Sequence, residues 1–391
     1  MSAQEILTKL VSFPVLGGES NLSIAEWIEN YLRQHGVAFT NVPNDEGTKR
    51  SIHCRIGPAV DGGIILSGHT DVVPVKGQPW DTDPFVLTDG QDGKLYGRGS
   101  CDMKGFLACC LAVLPEMVAS DLKRPIYFAF SYDEEIGCIA APALAADIRD
   151  RYTETAKYAI IGEPSMMQPI LGQKGIVIYR TTVNGSAGHS SRIRQEVSAI
   201  NEAARLILWL EQKMDDLIAA GHVDERFHPP HTSIHSGVFE RSGIAPNVVS
   251  DRAEFYWDVR VIPQDKGADI RAEFDVYCRA LERENRKRWP DFEITTEESH
   301  PDVPALDTSD DAEVAQLIQD FSGRKDLGTV AYAAEAGQFA EAGFQSVICG
   351  PGDIAQAHRA NEFIAIEQLA KGVEMIKRVV DWCGSGSSVQ S

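Results

Sequence analysis

The sequence predicts an α/β domain that is interrupted by a smaller α+β domain. Residues 64–68 and 126–131 are short, nearly continuous apolar runs that end in polar residues, which is typical of parallel strands buried on both faces. Residues 104–120 between them have the apolar spacing of a helix, so strands and helices alternate. The chain has 391 residues, more than the roughly 250 to 300 at which one hydrophobic core stops growing, so we expect two domains.

The α/β domain is predicted to contain segments from both ends of the chain. Residues 3–36 carry apolar side chains at helical spacing on either side of a Pro/Gly turn, so two helices precede the first strand. A helix at 310–321, a strand at 346–349 and a helix at 366–383 later resume the α/β pattern. We therefore predict that this domain comprises residues 1–175 and 298–383, followed by a disordered Gly/Ser-rich tail at 384–391.

The interrupting domain has its own order of elements. Its residues predict, in sequence, a strand at 176–184, a helix at 197–218, strands at 232–240 and 248–261, a helix at 268–282 and a strand at 291–296. This β-α-β-β-α-β order is the split βαβ layout. We expect a small, self-contained domain at residues 176–297.

The composition argues against several classes of function. A formal net charge of −20 disfavours nucleic acid and an anionic membrane surface as partners. The apolar runs are shorter than the roughly 20 residues that span a bilayer, and the first residues lack the features of a signal peptide, so we expect a cytoplasmic protein. The eight cysteines include no Cys-x-x-Cys pair, and we expect them to be reduced and structural.

His69 and Asp71 are the first candidates for a metal site. They occupy positions i and i+2 at a predicted strand end, which would place both side chains on one face. Asp71 could then accept a hydrogen bond from the ring nitrogen of His69 that does not bind metal. A structural histidine beside a turn aspartate is the alternative if His69 is considered alone.

Three adjacent acids, Asp133, Glu134 and Glu135, directly follow the apolar run that ends at residue 131. Because neighbouring carboxylates repel one another, such a run needs either a helix start on the surface, where the dipole tolerates it, or cations that neutralise it. Glu134 and Glu135 point in different directions. One of them could therefore bind metal while the other faces a water molecule as a general base.

Three further residues extend this set. Asp102 follows a glycine turn and precedes the helix at 104–120, where a carboxylate could either cap the helix or bind metal. Glu163 ends another apolar strand, and His358 lies in a loop after the strand at 346–349. Zinc uses histidine and carboxylate ligands, and open α/β sheets place their sites at strand ends, so the set as a whole predicts a metal site.

The motifs around these residues resemble the dinuclear-zinc amidohydrolases, a family that includes acetylornithine deacetylase, succinyl-diaminopimelate desuccinylase, aminoacylase and carboxypeptidases. The segments that carry the resemblance are residues 68–74, 96–105, 131–137, 162–164, 188–191 and 357–358. Within the family, residues 80–85, 102–108 and 335–337 are most similar to acetylornithine deacetylase. The resemblance extends from about residue 5 to residue 380.

The resemblance implies a zinc-hydrolase-type catalytic domain, with a mainly parallel central sheet flanked by helices, and a ferredoxin-like lid and dimerisation domain. It implies two Zn²⁺ per subunit, with Co²⁺ as a substitute, and a homodimer that forms through the inserted domain. The ligands that it implies are His69 and Glu163 for one zinc, Glu135 and His358 for the other, and Asp102 as the bridge. The peptide bond between Asp102 and the next residue is expected to be cis.

The activity that the resemblance implies is hydrolysis of the amide bond of an N-acyl amino acid. Zinc-bound hydroxide attacks the acyl carbon, and Glu134 acts first as general base and then as general acid. Asp71 is expected to orient His69. His189, in the inserted domain, is expected to stabilise the oxyanion, and in the resembling enzymes this histidine crosses the dimer interface. A surface histidine at a strand end is the alternative.

Three residues are expected to bind the substrate. Asn247 and Arg260 correspond to positions that contact the α-carboxylate in the resembling enzymes, although Arg260 could equally be a surface residue. Glu335 is the candidate for contact with an ornithine ammonium group. The expected substrate is N2-acetyl-L-ornithine, cleaved to L-ornithine and acetate in arginine biosynthesis.

Two alternatives are left open by the sequence. The enzyme could be a deacylase or dipeptidase of the same family that acts on another N-acyl amino acid. It could also be a metal-binding scaffold without activity, although the complete ligand set and Glu134 argue against that interpretation.

Overall fold

A computed structural model describes residues 1–385 of the chain, without the side chains of residues 241–242. The chain divides into two compact units. Unit 1 comprises residues 1–172, 306–329 and the chain from 334 onward, and unit 2 comprises residues 173–305 and 330–333. Unit 2 is therefore inserted into unit 1.

The elements of the first part of unit 1 are α1 (Ala3–Val11), α2 (Leu22–Gln34), β1 (Phe39–Pro43), β2 (Arg50–Ile56), β3 (Gly63–His69), β4 (Thr88–Asp89), β5 (Lys94–Tyr96), α3 (Lys104–Ala119), β6 (Ile126–Ser131), α4 (Ala141–Arg151), β7 (Ala156–Pro164) and β8 (Ile170–Gln173). Those of unit 2 are β9 (Gly175–Asn184), β10 (Gly188–His189), α5 (Ala199–Ala219), β11 (Ser233–Ser242), β12 (Val248–Val249), β13 (Arg252–Val261), α6 (Gly267–Asn285) and β14 (Glu293–Val303). The chain then continues with β15 (Leu306–Asp307), α7 (Glu313–Ser322), β16 (Gly328–Val330), α8 (Ala336–Glu341), β17 (Gln345–Gly350), β18 (Phe363–Ala365) and α9 (Ile366–Gly384).

The main sheet has the strand order β1-β2-β6-β3-β7-β17-β8-β15, and β16 pairs with β8. Its four central strands, β6, β3, β7 and β17, are parallel, whereas β2 and β8 join them antiparallel. Every residue of β3 and β6 is buried, which explains why their sequences are nearly continuous apolar runs. The predicted α/β fold, with a mainly parallel centre, is confirmed.

Helix α3 lies in the core of unit 1. It is apolar on all sides, with Phe106, Leu107, Leu111 and Leu114 fully or almost fully buried, and it contacts α1, α9 and β3. A helix that is hydrophobic all round can be stable only inside a protein. The helix start that follows Asp102 is therefore held by packing on several sides.

Unit 2 has a four-stranded antiparallel sheet with the order β11-β13-β9-β14. Apolar residues alternate along β9 and β13 and form a separate core with α5 and α6, centred on Trp257, Phe255 and Phe274. The strand predicted at 248–261 is instead two strands, because Ser250 interrupts it. The hydroxyl of Ser250 accepts a hydrogen bond from the backbone N–H of Gly243 and donates one to the carbonyl oxygen of Arg252.

Two predicted ends differ from the structure. Strand β14 reaches Val303, beyond the expected domain end at residue 297. Of the tail predicted at 384–391, Gly384 is the last residue of α9, and residues 386–391 lie outside the described residues.

The eight cysteines are all free and buried. Cys101, next to Asp102, donates through its sulfur to the carbonyl oxygen of Asp353 at 3.3 Å. Within residues 1–385, no helix has the length and apolar character needed to cross a lipid bilayer.

Candidate active site

The parallel strands of unit 1 bring polar residues to one edge of the sheet. β3 ends at His69, β6 ends two residues before Asp133, and Glu163 is the next-to-last residue of β7. The loop after β17 carries His358, and Asp102 lies two residues before α3. Because carboxyl ends of parallel strands meet at the same edge, these residues from distant parts of the sequence come together.

One carboxylate lies between two histidines. Oδ1 of Asp102 is 3.2 Å from Nε2 of His69, and Oδ2 is 3.5 Å from Nε2 of His358. The Asp102–Met103 peptide bond is cis, as expected. Asp102 is not the helix cap considered as an alternative, because its side chain faces the two imidazoles and α3 has no side-chain cap. One carboxylate is thus within reach of both imidazoles, and it could contact cations bound beside either of them.

Further acids flank this centre. Oε2 of Glu135 lies 3.0 Å from Nε2 of His358. Oε1 of Glu163 and Oε2 of Glu134 lie 3.8 and 3.9 Å from Nε2 of His69. Potential ligand atoms of His69, Asp102 and Glu135 are within 4.8 Å of one another, and so are those of His69, Glu134 and Glu163. These distances define two overlapping groups of residues that could each hold a cation.

The chemistry of the set fits divalent metal ions. Oε1 of Glu163 is buried and has no hydrogen-bond partner within residues 1–385, and an unsatisfied carboxylate oxygen is costly in a buried site. A cation near His69 would satisfy it. Imidazole nitrogen and carboxylate oxygen are ligand types that zinc accepts, so the residues present fit a pair of such ions.

The acids of the site repel one another. Burial, together with neighbouring carboxylates, raises the pKa values of Glu134 and Glu163 well above the usual carboxyl range. Burial, followed by the charge of Asp102, raises the pKa of Glu135 to about 7. Burial would also raise the pKa of Asp102, but hydrogen bonds from the two histidines outweigh it and lower that pKa. A bound divalent cation would reverse this repulsion.

The structure corrects the contact expected between Asp71 and His69. Nδ1 of His69 lies 2.9 Å from the backbone carbonyl oxygen of Asp71 but 3.7 Å from its carboxylate oxygen Oδ1. The carboxylate of Asp71 instead accepts hydrogen bonds from the backbone N–H groups of Glu134 and Glu135, each at 3.2 Å. Its side chain therefore holds the loop that carries these two acids.

Asp133 makes contacts different from those of Glu134 and Glu135, its two acidic neighbours. Its Oδ2 forms an ion pair with Lys49, and its Oδ1 accepts the backbone N–H of Gly18 at 2.9 Å. Asp133 has a φ of 56°, so the chain turns sharply at this residue and its side chain is directed to Lys49. The run of three acids is thus neither a surface helix start nor a single ligand group.

Glu335 is a buried carboxylate beside the strand that ends at His69. It is only 1% exposed, and its Oε2 accepts a hydrogen bond from the hydroxyl of Ser67 at 3.3 Å. Ser67 belongs to β3, two residues before His69. Its Oε1 has no hydrogen-bond partner within residues 1–385, and the predicted contact with a substrate ammonium group stays a prediction.

The other predicted residues belong to unit 2. His189 and Asn247 are neighbours there, because Ser190 donates its N–H to the carbonyl oxygen of Asn247 at 2.9 Å and β10 pairs with β12. His189 is exposed, and its Nδ1 lies 2.9 Å from the hydroxyl of Ser191.

Arg260 lies near the other end of β13, opposite Ile176. Burial, followed by the charge of Arg260, lowers the pKa of Lys174 to about 8. Arg260 is therefore beside a second positive charge, and the ion pair to Asp258 is long, at 3.9 Å. With a second cation nearby and only a long ion pair, the guanidinium of Arg260 is available to bind an anion.

Glu362 is a residue that sequence reasoning missed. It is 1% exposed and accepts hydrogen bonds from the backbone of the loop that carries Asp102. The only signal in the sequence is an acid four residues after His358, next to the apolar segment 363–365. That signal is too weak to indicate a role.

Comparison with known proteins identifies the family. The model of peptidase family M20/M25/M40 matches residues 65–382. The chain belongs to this family. It is 31% identical over 384 residues, 97% of each chain, to an acetylornithine deacetylase from Myxococcus xanthus. This member of the M20/M25/M40 family is an enzyme, a metal-dependent amidohydrolase that resembles acetylornithine deacetylase.

Solved structures show the same fold. A tripeptidase from Staphylococcus aureus superposes with a TM-score of 0.76 at 19% identity, covering 98% of each chain. A dinuclear metal-binding peptidase of the M20 family from Bacillus subtilis superposes with a TM-score of 0.63 at 15% identity, covering 97% of this chain and 96% of its own.

Proposed function

We propose that this enzyme deacylates N-acyl amino acids and that its substrate is N2-acetyl-L-ornithine, which yields L-ornithine and acetate. The observation that carries the proposal is the carboxylate of Asp102, whose oxygens lie 3.2 and 3.5 Å from nitrogens of two histidines. The choice of substrate is supported by the Myxococcus xanthus relative, an acetylornithine deacetylase. The reaction belongs to arginine biosynthesis, and a cytoplasmic location stays a prediction.

We propose that two zinc ions occupy the site and that Asp102 bridges them. His69 and Glu163 would hold one ion, and His358 and Glu135 would hold the other. The Bacillus subtilis peptidase of the same fold is dinuclear, which supports the number of ions, and Co²⁺ suits the same ligands. When bound, the two ions would polarise the acyl carbonyl and lower the pKa of a water molecule.

Glu134 is the residue that we propose as proton carrier. Burial raises its pKa above the usual carboxyl range, and a bound divalent cation would lower it again, so that the carboxylate could take up a proton and return it. Its Oε1 accepts a hydrogen bond from the Cys138 thiol at 3.4 Å, and its Oε2 lies 3.9 Å from Nε2 of His69. Oε2 can therefore accept a proton from the attacking water. Glu134 then delivers this proton to the nitrogen of the departing amino acid.

We propose that unit 2 supplies the groups that bind the oxyanion and the α-carboxylate. His189 would donate to the oxyanion, and Asn247 and Arg260 to the carboxylate. Asn247 precedes one end of β13 and Arg260 lies near the other, and a strand of that length spans roughly 30 Å at about 3.3 Å per residue. One carboxylate would therefore meet Arg260 of one chain and Asn247 of a second copy, which supports a homodimer.

A substrate panel tests the function. The purified enzyme is assayed with N-acetylornithine, N-acetylmethionine, N-succinyl-diaminopimelate and a dipeptide, each with and without a metal chelator. We expect the highest kcat/KM on N-acetylornithine and loss of all activity with chelator. A negligible rate on N-acetylornithine, with cleavage of another compound, would show that the substrate is wrong. Two zinc ions per chain without hydrolysis of any compound would instead indicate a metal-binding scaffold.

A further inference from the structure

Glu362 is buried beside the candidate metal centre but is not one of its ligands. Its Oε1 accepts the backbone N–H groups of Cys101 and Asp102, at 2.9 and 3.0 Å. Its Oε2 accepts the N–H of Gly99 at 3.0 Å and Nη1 of Arg98 at 2.7 Å. Both oxygens are fully used by these four donors. A carboxylate with so many charge-assisted hydrogen bonds is held in one orientation.

The backbone of Glu362 adds a further connection. Its carbonyl oxygen accepts the N–H of Gly97 at 2.9 Å, and the next residue begins β18, which pairs with β5. The loop at residues 97–102, which ends at Asp102, is thus attached at several points to the segment that follows His358. Two loops far apart in the sequence are joined where each presents a proposed metal ligand.

A second path leads from Arg98 back to His358. Nη2 of Arg98 donates to Oε1 of Gln78 at 2.5 Å, and Nε2 of Gln78 donates to the carbonyl oxygen of His358 at 2.9 Å. The guanidinium of Arg98 also lies over the ring of Trp80, 5.2 Å from its centroid. Hydrogen bonds therefore run without a break from the carbonyl oxygen of His358, through Gln78, Arg98 and Glu362, to the N–H of Asp102.

His358 needs such support because of its backbone conformation. Its φ is 62°, in the left-handed region that a side chain other than glycine rarely adopts. Its side chain is 58% exposed, so packing does little to fix the imidazole. The hydrogen bond from Gln78 to its carbonyl oxygen restrains the peptide at this point.

We propose that Glu362 is a positioning residue that, through Arg98 and Gln78, fixes Asp102 and His358 relative to each other so that both ligate the same metal ion. The inference rests on the metal site of the proposed function. Glutamate is required because all four groups that face its side chain are donors. In Glu362→Gln, the amide NH₂ must point at some of those donors, and the two loops lose a common anchor.

Zinc binding to the purified metal-free protein tests this proposal. Wild type, Glu362→Gln and the matched control Glu154→Gln are titrated with Zn²⁺ against a chelating dye, and kcat and KM are measured after metal loading. Glu154 is also a buried glutamate paired with an arginine, at 2.6 Å from Nη1 of Arg55, but it does not contact the ligand loops. We expect Glu362→Gln to bind zinc about 10- to 100-fold more weakly, to lose kcat more than KM, and to show an altered visible spectrum with Co²⁺. Glu154→Gln should match wild type in all three measurements.

A milder variant keeps the test valid if Glu362→Gln does not fold. Gln78 is half-buried, and Gln78→Glu retains the acceptor for Arg98 while it loses the donor to His358. We expect one of the two zinc equivalents to weaken about tenfold or more and the other to keep its affinity. If wild type binds two zinc ions and both variants bind zinc with unchanged affinity, the positioning role of Glu362 is wrong but the proposed function still stands. Wild type that binds fewer than two would contradict the proposed function itself.

Discussion

The imidazole of His69 is oriented by the main chain of Asp71, since Nδ1 lies 2.9 Å from the carbonyl oxygen of Asp71 and 3.7 Å from its carboxylate. The carboxylate accepts hydrogen bonds from the backbone N–H groups of Glu134 and Glu135. The side chain of Asp71 therefore contacts the loop that carries Glu134, the proposed general base, and its main chain contacts His69, a proposed metal ligand.

Asp71→Asn should separate these two roles. The amide can accept one of the two N–H groups but must present its NH₂ to the other, so the loop with Glu134 and Glu135 shifts. We expect kcat to fall about 10- to 100-fold. Binding of the zinc ion that we assign to His69 and Glu163 should stay at the wild-type level, because the carbonyl partner of Nδ1 of His69 is unchanged. Loss of zinc in proportion to activity would contradict this assignment.

Glu134→Gln removes the proposed proton carrier and keeps its size. We expect kcat to fall by about 10² to 10⁴ while zinc content stays at two per chain. Glu135→Gln is the informative comparison, because a ligand should lose zinc affinity as well as activity. Metal analysis by atomic absorption, beside the kinetic assay, distinguishes the two acids. Zinc loss in Glu134→Gln would identify Glu134 as a ligand.

His189→Ala tests the proposed oxyanion donor. We expect a loss of about 10² to 10³ in kcat with zinc affinity unchanged, because His189 belongs to unit 2 and the proposed metal ligands belong to unit 1. His235→Ala, at an exposed histidine of the same unit, serves as the control and should keep wild-type kcat. Equal rates for the two variants would remove His189 from the mechanism.

Lys49→Met tests the ion pair that holds Asp133. The two side chains are only 11% and 6% exposed, so the variant leaves a buried carboxylate without its cation. We expect the free energy of unfolding, measured with urea, to fall by about 3 kcal/mol. Adding Asp133→Asn to Lys49→Met should restore part of that loss. A double variant as unstable as the single one would argue that Lys49 acts through its packing.

The burial of His53 should make the stability of the protein depend on pH. It is fully buried between Asp147 and Tyr152, and burial lowers its pKa below the usual value despite the hydrogen bond to Asp147. Below about pH 6.5 the unfolded chain therefore takes up a proton that the folded chain resists, so stability from this residue falls as pH falls. The loss in unfolding free energy between pH 7.5 and pH 5.5 should be smaller in His53→Gln than in wild type. An equal loss in both proteins would contradict the prediction.

Local sequence patterns sufficed for much of the fold. Apolar runs predicted β3 and β6, and helical spacing of apolar residues predicted α1, α2, α3 and α9. Such patterns are local because they reflect which side chains of a single element are buried. The residues at the strand ends, such as His69 and Glu163, were accessible to the same reasoning. Parallel strands bring their ends together whatever the intervening sequence.

Contacts between backbone and distant side chains were not predictable. Nδ1 of His69 lies 2.9 Å from the carbonyl oxygen of Asp71 and 3.7 Å from its carboxylate oxygen. A difference this small cannot be predicted from the spacing of residues in the sequence. The burial of Glu335 and the four hydrogen bonds of Glu362 depend on elements more than 250 residues away in the chain. The break between β12 and β13 depends on the hydroxyl of Ser250. Such features are set by tertiary packing.

The position of β17 has a consequence for synthesis of the protein. This strand lies beside β7 in the sheet, but all of unit 2 separates the two in the chain. At roughly 5 to 20 residues per second, a ribosome needs roughly 10 to 40 s to make the intervening segment. During that interval β7 has an unpaired edge, which can pair with a wrong strand. The growing chain is therefore most prone to aggregation midway through translation, and it acquires His358, its last proposed metal ligand, only when that edge has been covered.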